Sequence, residues 1–175
     1  MNQRALPICH VFDLGDLSQA GSHVVVAARS DELEALARWA GVDTVRAFTA
    51  GVELRRTSQN RFAFEAELSA DIVQSCVATL EPVSTHIARH LARELHYVPH
   101  SHADGGELTL AAGNDDVPEE INSLDYDLAG PLLEEFVLAI DPYPRKEGAT
   151  FESPKEHAET PESPFAMLKS LKQGS

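Results

Sequence analysis

The sequence has few cysteines and no long apolar run, and both shortages exclude classes of protein. Cys9 and Cys76 are the only cysteines among 175 residues, which is too few for a disulfide-stabilised scaffold. No apolar run approaches the ~20 residues that a membrane-spanning helix needs. Met1 to Pro7 also lacks the apolar stretch of a signal peptide. We therefore expect a cytoplasmic protein that has no membrane partner.

Basic residues are scarce as well, with 14 Lys and Arg against 28 Asp and Glu and a net charge of -14. The excess is concentrated in residues 101–175, which hold five basic and sixteen acidic side chains. A field of this sign repels phosphates, so it excludes a protein that binds nucleic acid over its whole surface. An acidic segment suits basic partners instead.

Alternating apolar residues predict an α+β fold. The even positions from Phe62 to Ile72 are apolar, which is typical of a half-buried strand, and Phe48 to Leu54 has the same parity and predicts its hairpin partner. Cys76 and Leu80 continue the buried parity, with a bulge expected between Ser69 and Gln74 because strands this long are uncommon. The pattern from Val83 to Val98 fits a strand or a helix. We expect an antiparallel sheet of about five strands with two packed helices and a flexible acidic C-terminal region.

Composition divides the chain into a domain and two C-terminal segments. Residues 1–141 are predicted to form the α+β domain, with a mobile acidic loop at 101–122 that is rich in Gly, Asp and Glu. Residues 142–163 hold several prolines among charged residues, which predicts a disordered linker. Residues 164–175 contain Phe165, Leu168 and Leu171 at three-residue steps, which predicts a short docking motif, either for a partner or for the protein's own domain.

The segment from Gln74 to Val83 carries a family resemblance. With its Cys76, Leu80, Glu81 and Pro82, followed by a strand, it resembles the YceD family (DUF177) of large ribosomal RNA subunit accumulation proteins. The likeness continues through residues 123–128, 132–138 and 163–172 and covers most of the chain. It also favours a strand for residues 83–98.

In many members of that family a second cysteine follows the first by three positions and another lies near the end of the domain, a spacing that could hold zinc. This sequence has Thr79 at the second position and Pro144, Arg145 and Lys146 around the later one. A structural zinc site needs Cys or His at each corner. We therefore expect no metal or other cofactor, with Cys76 as a small buried apolar residue.

Two further sets of residues are candidates for binding. Five histidines lie close together in sequence: His86, His90, His96, His100 and His102. They could form a transition-metal site, or they could be solvent-facing side chains. Four arginines share a parity in the predicted strands and are expected to form a basic stripe that contacts RNA phosphates: Arg55, Arg61, Arg89 and Arg93. Glu53, Glu65 and Glu67 dilute that stripe, and an ordinary solvated face is the alternative.

The sequence shows no Gly-rich phosphate loop, no nucleophile elbow and no paired-acid pattern at loop ends, so we predict no catalytic residue. The resemblance implies a non-catalytic ribosome biogenesis factor that supports accumulation or processing of large-subunit (23S) ribosomal RNA by binding an assembly intermediate. Its expected partner is that RNA or a basic large-subunit ribosomal protein, with no small-molecule substrate. The alternatives are a protein-binding adaptor outside ribosome assembly, which uses the acidic tail and C-terminal motif, and a metal-dependent hydrolase that uses the histidines.

Overall fold

The computed structural model describes residues 6–99 and 118–150, which form seven strands, two α-helices and one 3-10 turn. Three of the strands are long, with 15 or 16 residues each. The strands are β1 (Val11–Asp13), β2 (Ser22–Ala27), β3 (Thr44–Ser58), β4 (Arg61–Ser75), β5 (Pro82–Tyr97), β6 (Glu119–Ile121) and β7 (Asp125–Asp127). The helices are α1 (Ser30–Ala40) and α2 (Ala129–Ala139).

The main sheet has five strands in the order β2-β3-β4-β5-β6. Its pairs are antiparallel except for β5 and β6, which run parallel, and β1 pairs with β7 in a separate two-stranded sheet. The predicted α+β class, with about five strands and two helices, is confirmed. The loop predicted at 101–122 is wrong at its end, because Glu119–Ile121 has a strand partner in β5. The rest of that loop, residues 101–117, lies outside the described residues.

All fifteen residues of β4 pair in continuous register with β5, from Arg61 opposite His96 to Ser75 opposite Pro82. The bulge expected within β4 is therefore wrong in its location. The irregularity near that end lies in β3, where the register steps from Val45 to Ala47 while β4 advances by one residue, so Arg46 is the extra residue.

One face of the sheet packs against the two helices and holds the core. Phe62, Phe64 and Leu95 are fully buried on this helix face, and Phe136 of α2 meets Phe48 edge to face with 5.4 Å between ring centroids. Leu36 of α1 is buried in the same cluster. Neither helix of the described part of the chain is long and apolar enough to cross a membrane.

The opposite face, here called the outer face, has no helix packed on it among the described residues. It carries the odd-numbered residues of β2, of β3 from Ala47, and of β4 up to Asp71, together with the even-numbered residues of β5 from His86. Val25, at the centre of β2, is 60% exposed here. Among the described residues, the outer face is therefore the side of the sheet that no helix covers.

Candidate functional site

The turn between β4 and β5 contains the residues of the family resemblance and is closed by its own backbone. The Cys76 N–H donates to the Glu81 carbonyl at 2.8 Å, and the Leu80 N–H donates to the Cys76 carbonyl at 2.9 Å. Leu80 has φ 59, in the left-handed region, and its side chain is 78% exposed. The expectation that Leu80 lies on the buried parity is wrong, because β4 ends at Ser75 and the turn no longer follows strand alternation.

Residues 144–146 lie against this turn. The Val77 N–H donates to the Pro144 carbonyl at 2.9 Å, and the Lys146 N–H donates to the Cys76 sulfur at 3.3 Å. The Lys146 ammonium also pairs with Glu81 at 3.1 Å. The predicted disordered linker is therefore wrong for residues 142–150. Their polar composition does not reveal contacts to a turn that is distant in sequence. Residues 151–163 lie outside the described residues.

The fold thus brings together the three positions that the resemblance associates with cysteines. Cys76 occupies the first, Thr79 the second, and Lys146 belongs to the stretch expected to hold the later one. The Lys146 N–H donates to the Cys76 sulfur, and the Thr79 hydroxyl donates to Glu81 at 3.2 Å. Among the described residues no group of three His, Cys, Asp or Glu side chains is arranged to hold a metal ion.

These contacts change the acidity of two groups at the turn. The Lys146 N–H, followed by the Thr79 hydroxyl, lowers the pKa of Cys76 to about 6 by stabilising the thiolate. The hydrogen bond and positive charge of the Lys146 ammonium lower the pKa of Glu81. Cys76 is fully buried, so its sulfur acts as a hydrogen-bond acceptor that holds residues 144–146 in place, and no reactant reaches it.

The four arginines of the predicted RNA-binding stripe lie on two different faces. Arg61 pairs with His96, and Arg55 with Ala63, on the outer face. Arg89 and Arg93 are opposite the buried Leu68 and Phe64, so they lie on the helix face. The expectation of one basic stripe is wrong, because odd-numbered residues of β4 pair with even-numbered residues of β5.

Every one of these arginines is within ion-pair distance of a carboxylate. On the outer face, Arg55 lies 3.3 Å from Glu65 and Arg61 lies 2.7 Å from Glu94. On the helix face, the pairs are Arg89 with Glu135 of α2 at 3.7 Å, and Arg93 with Glu134 of α2 and with Glu119 of β6 at 3.3 Å. All four arginines therefore have counterions within the protein, from the sheet on the outer face and mainly from α2 on the helix face.

Arg93 is the most embedded of the four, at the junction of β5, β6 and α2. Burial opposes its charge, but the hydrogen bonds that it donates to Glu134 and Glu119 outweigh that effect and raise the pKa of Arg93. Glu119 also accepts a weak hydrogen bond of 3.4 Å from the hydroxyl of Tyr126. Burial and the charge of Glu119 raise the pKa of Tyr126, so that hydroxyl stays protonated as a donor.

The centre of the outer face forms a shallow cleft of about 210 Å³, here called the outer cleft. The His23 ring lies over Gly51, with its Nε2 3.3 Å from the point that a Cβ on Gly51 would occupy. The remaining polar residues come from three strands, and the lining is His23, Gly51, Glu53, Glu65, Ala66, Glu67 and His90. His23 and Gly51 were missed by sequence reasoning, since neither lies near the histidine-rich segment and only the register of β2 with β3 brings His23 to this place.

Three of the clustered histidines, His86, His90 and His96, lie on the outer face, as the strand alternative predicted. His86 is 2.8 Å from Asp71 across the β4–β5 pair, and His90 is opposite Glu67. His100, His102 and the predicted docking residues Phe165, Leu168 and Leu171 lie outside the described residues. None of these three histidines is buried, and only His86 has a carboxylate partner among the described residues.

In comparisons with known proteins, the chain matches no protein-family model, no curated protein and no solved structure. The resemblance carried by the β4–β5 turn stays a prediction. The geometry itself defines two kinds of feature: a structural turn around a buried sulfur, and an open sheet face with an acidic centre.

The buried sulfur predicts a pH dependence of stability. A thiol whose pKa falls from 9.0 to about 6 on folding stabilises the native state fully above pH 9 and loses that contribution as the pH falls through 6. Urea denaturation under reducing conditions at a series of pH values between 6 and 9 should show a steeper loss of stability in the wild type than in Cys76→Ser. Cys9→Ser, which changes an exposed thiol, should follow the wild type; identical slopes for all three proteins would contradict the assignment.

The placement of Arg93 predicts that it is needed for the fold. Arg93→Glu puts a third carboxylate beside Glu119 and Glu134 and should lower the free energy of unfolding by about 1–3 kcal/mol. Arg46→Glu, at an exposed residue of β3 that forms no ion pair among the described residues, should cost about 1 kcal/mol or less. Urea denaturation measures both; equal effects of the two changes would show that Arg93 is not part of a structural network.

Proposed function

We propose that this protein is a non-catalytic, cytoplasmic ribosome biogenesis factor that supports accumulation or processing of large-subunit ribosomal RNA. The resemblance of residues 74–83 to the YceD family supplies this class of function. The contact of Lys146 with the Cys76–Thr79 turn supports it, because Lys146 is 70 residues from Cys76 in sequence and the resemblance relates these positions to one another. The cytoplasmic location belongs to the same proposal.

The observation that carries the binding role is the open outer face with carboxylates at its centre. Glu53 is directly opposite Glu65, and Glu67 is the next residue on the same face of β4. Arg55 lies 3.6 Å from Glu53 and 3.3 Å from Glu65, so one positive charge serves two of the three carboxylates and negative charge remains in excess. Like charges directly opposite one another destabilise a sheet. A basic partner that neutralised them would recover that cost, so the arrangement favours binding of a cationic surface.

We therefore propose a basic large-subunit ribosomal protein as the direct partner, in preference to RNA. A phosphate that approached Arg55 or Arg61 would have to displace Glu65 or Glu94. Arg89 and Arg93 face the helices and pair with α2. Binding of RNA depends on cations that neutralise phosphates, and the four candidate cations are already neutralised.

The described side chains support binding more than catalysis. General acid–base catalysis requires groups held within hydrogen-bond reach of an enclosed substrate. The His86–Asp71 pair is instead solvent-exposed, with about half or more of each side chain accessible. The one buried thiol is sealed by the β4–β5 turn. The proposed role needs no cofactor and no reacting group.

The proposal predicts a loss of large ribosomal subunits when the protein is depleted from its own cells. Sucrose-gradient profiles should show a reduced large-subunit peak and an accumulated precursor, restored by the wild-type chain. Unchanged profiles, with protein partners still captured by the tagged chain, would contradict the proposal and favour an adaptor outside ribosome assembly.

Charge reversal tests the outer face within the same experiment. Glu53→Lys/Glu67→Lys should weaken binding to basic proteins extracted from large subunits about tenfold and fail to restore the gradient profile. Glu34→Lys/Glu147→Lys changes the net charge equally at exposed positions away from the outer face and should behave as the wild type. Equal effects of the two variants would show that only net charge matters, and binding to ribosomal RNA that survives protein removal would overturn the choice of partner.

A further inference from the structure

On the helix side of the sheet, α1 and α2 leave an apolar groove of about 380 Å³ between them, here called the helix groove. Its apolar walls are formed by Leu6, Trp39, Ala40, Leu133, Val137 and Leu138. Val137 is 40% exposed and Leu138 is 75% exposed. The volume is typical of clefts that enclose a small molecule or a few side chains.

The composition of α2 indicates that another segment packs against this surface. Glu134 and Glu135 are its only charged residues, while Leu132 and Phe136 fill the core beneath it. A helix that is apolar nearly all round is normally buried on more than one side. The outward Val137 and Leu138 give α2 a second apolar side that no described residue covers fully.

We infer that the helix groove is the docking site for the protein's own C-terminal segment, residues 163–172, with Phe165, Leu168 and Leu171 as the inserted side chains. Their three-residue spacing places them along one side of a short helix. An isolated helix of this length is marginal in water, so the segment requires an apolar surface to order against. This inference goes beyond the proposed function and does not depend on it.

The place where the described chain ends favours this occupant. The carboxyl end of α2 is held by Gln74, which donates to the Asp141 carbonyl at 3.0 Å, and the end of α1 is held by the Asp43 N–H, which donates to Val73 at 3.1 Å. Lys146 contacts the adjacent Cys76. The two helix ends beside the groove and the outgoing chain therefore meet at the same end of β4.

The length of the tether also favours docking within one molecule. Phe165 follows Thr150, the last described residue, by fifteen residues, which span at most ~50 Å when extended. A domain of this size has a radius of gyration of only ~14 Å. A linker of this length gives an effective concentration of ~1 mM, so even a weak contact is occupied before a free partner competes.

Charge complementarity favours one orientation of the C-terminal segment in the helix groove. Glu134 lies on the wall of the groove, and the last turn of α2 has no basic residue to offset the negative end of the helix dipole. Lys169 and Lys172 flank the apolar residues of the segment. Glu134 is already paired with Arg93, so docking would place these ammonium groups near the carboxyl end of α2, where the helix has no basic residue of its own.

The single tryptophan of the chain, Trp39, reports directly on the groove. In the full-length protein, Leu168→Glu/Leu171→Glu should increase quenching of Trp39 fluorescence by acrylamide, because the groove loses its cover. Ser170→Glu/Gln173→Glu adds the same charge at neighbouring polar positions and should leave quenching near the wild-type value. Equal quenching of Trp39 in the two variants would overturn the inference.

Disulfide trapping tests the same contact without disrupting it. With Cys9 replaced by Ser, Leu138→Cys/Leu168→Cys should form an intramolecular disulfide with oxidised glutathione about tenfold faster than Val25→Cys/Leu168→Cys. Val25 is a matched exposed site on the outer face, 60% accessible against 75% for Leu138. Equal rates would overturn the inference, and preferential formation of disulfide-linked dimers would overturn it in favour of a second copy of the chain.

Discussion

The register between β4 and β5 is the constraint on which the rest of the structure depends. In an antiparallel pair, a slip of one residue moves every side chain of a strand to the other face of the sheet. Here residues 76–81 close the hairpin and place Ser75 opposite Pro82, and that pairing continues without interruption to Arg61. It directs Ile87, Leu91 and Leu95 into the core. The same pairing leaves the Cys76 sulfur where residues 144–146 can close over it.

Sequence periodicity was enough to predict the strands but not the relation between their faces. The alternation in β4 continues from Phe62 to Ile72, and the observed burial follows it. The prediction of a single basic stripe fails across the β4–β5 turn, because it places the odd-numbered Arg89 and Arg93 on the same face as Arg55 and Arg61. The number of residues in a turn decides whether parity is kept or inverted, and composition does not specify it. The parallel strand β6 was not predicted either, since it has only three residues and its strand partner, β5, is distant in sequence.

The distribution of charge follows from that register. The helix-face arginines find their carboxylates on α2 and β6, so Arg93 joins Glu134, Glu119 and, through Glu119, Tyr126 of β7. These contacts stabilise the short strands β6 and β7, which backbone pairing alone would hold weakly. The outer-face arginines pair within the sheet. Because both sets are neutralised locally, the acidic residues in excess remain as the feature that a partner would encounter.

The positions of the lysines connect the outer face with the helix groove. All four lysines of the chain follow residue 145, and two of them flank the apolar residues of the C-terminal segment. A tethered cationic segment would compete with a basic partner if it docked on the outer cleft, where Glu53, Glu65 and Glu67 meet. Docking in the helix groove, on the other side of the sheet, keeps those lysines away from the outer face. The two proposals are thus physically compatible, because the apolar requirement of α2 draws the segment to one side and leaves the carboxylates on the other side available.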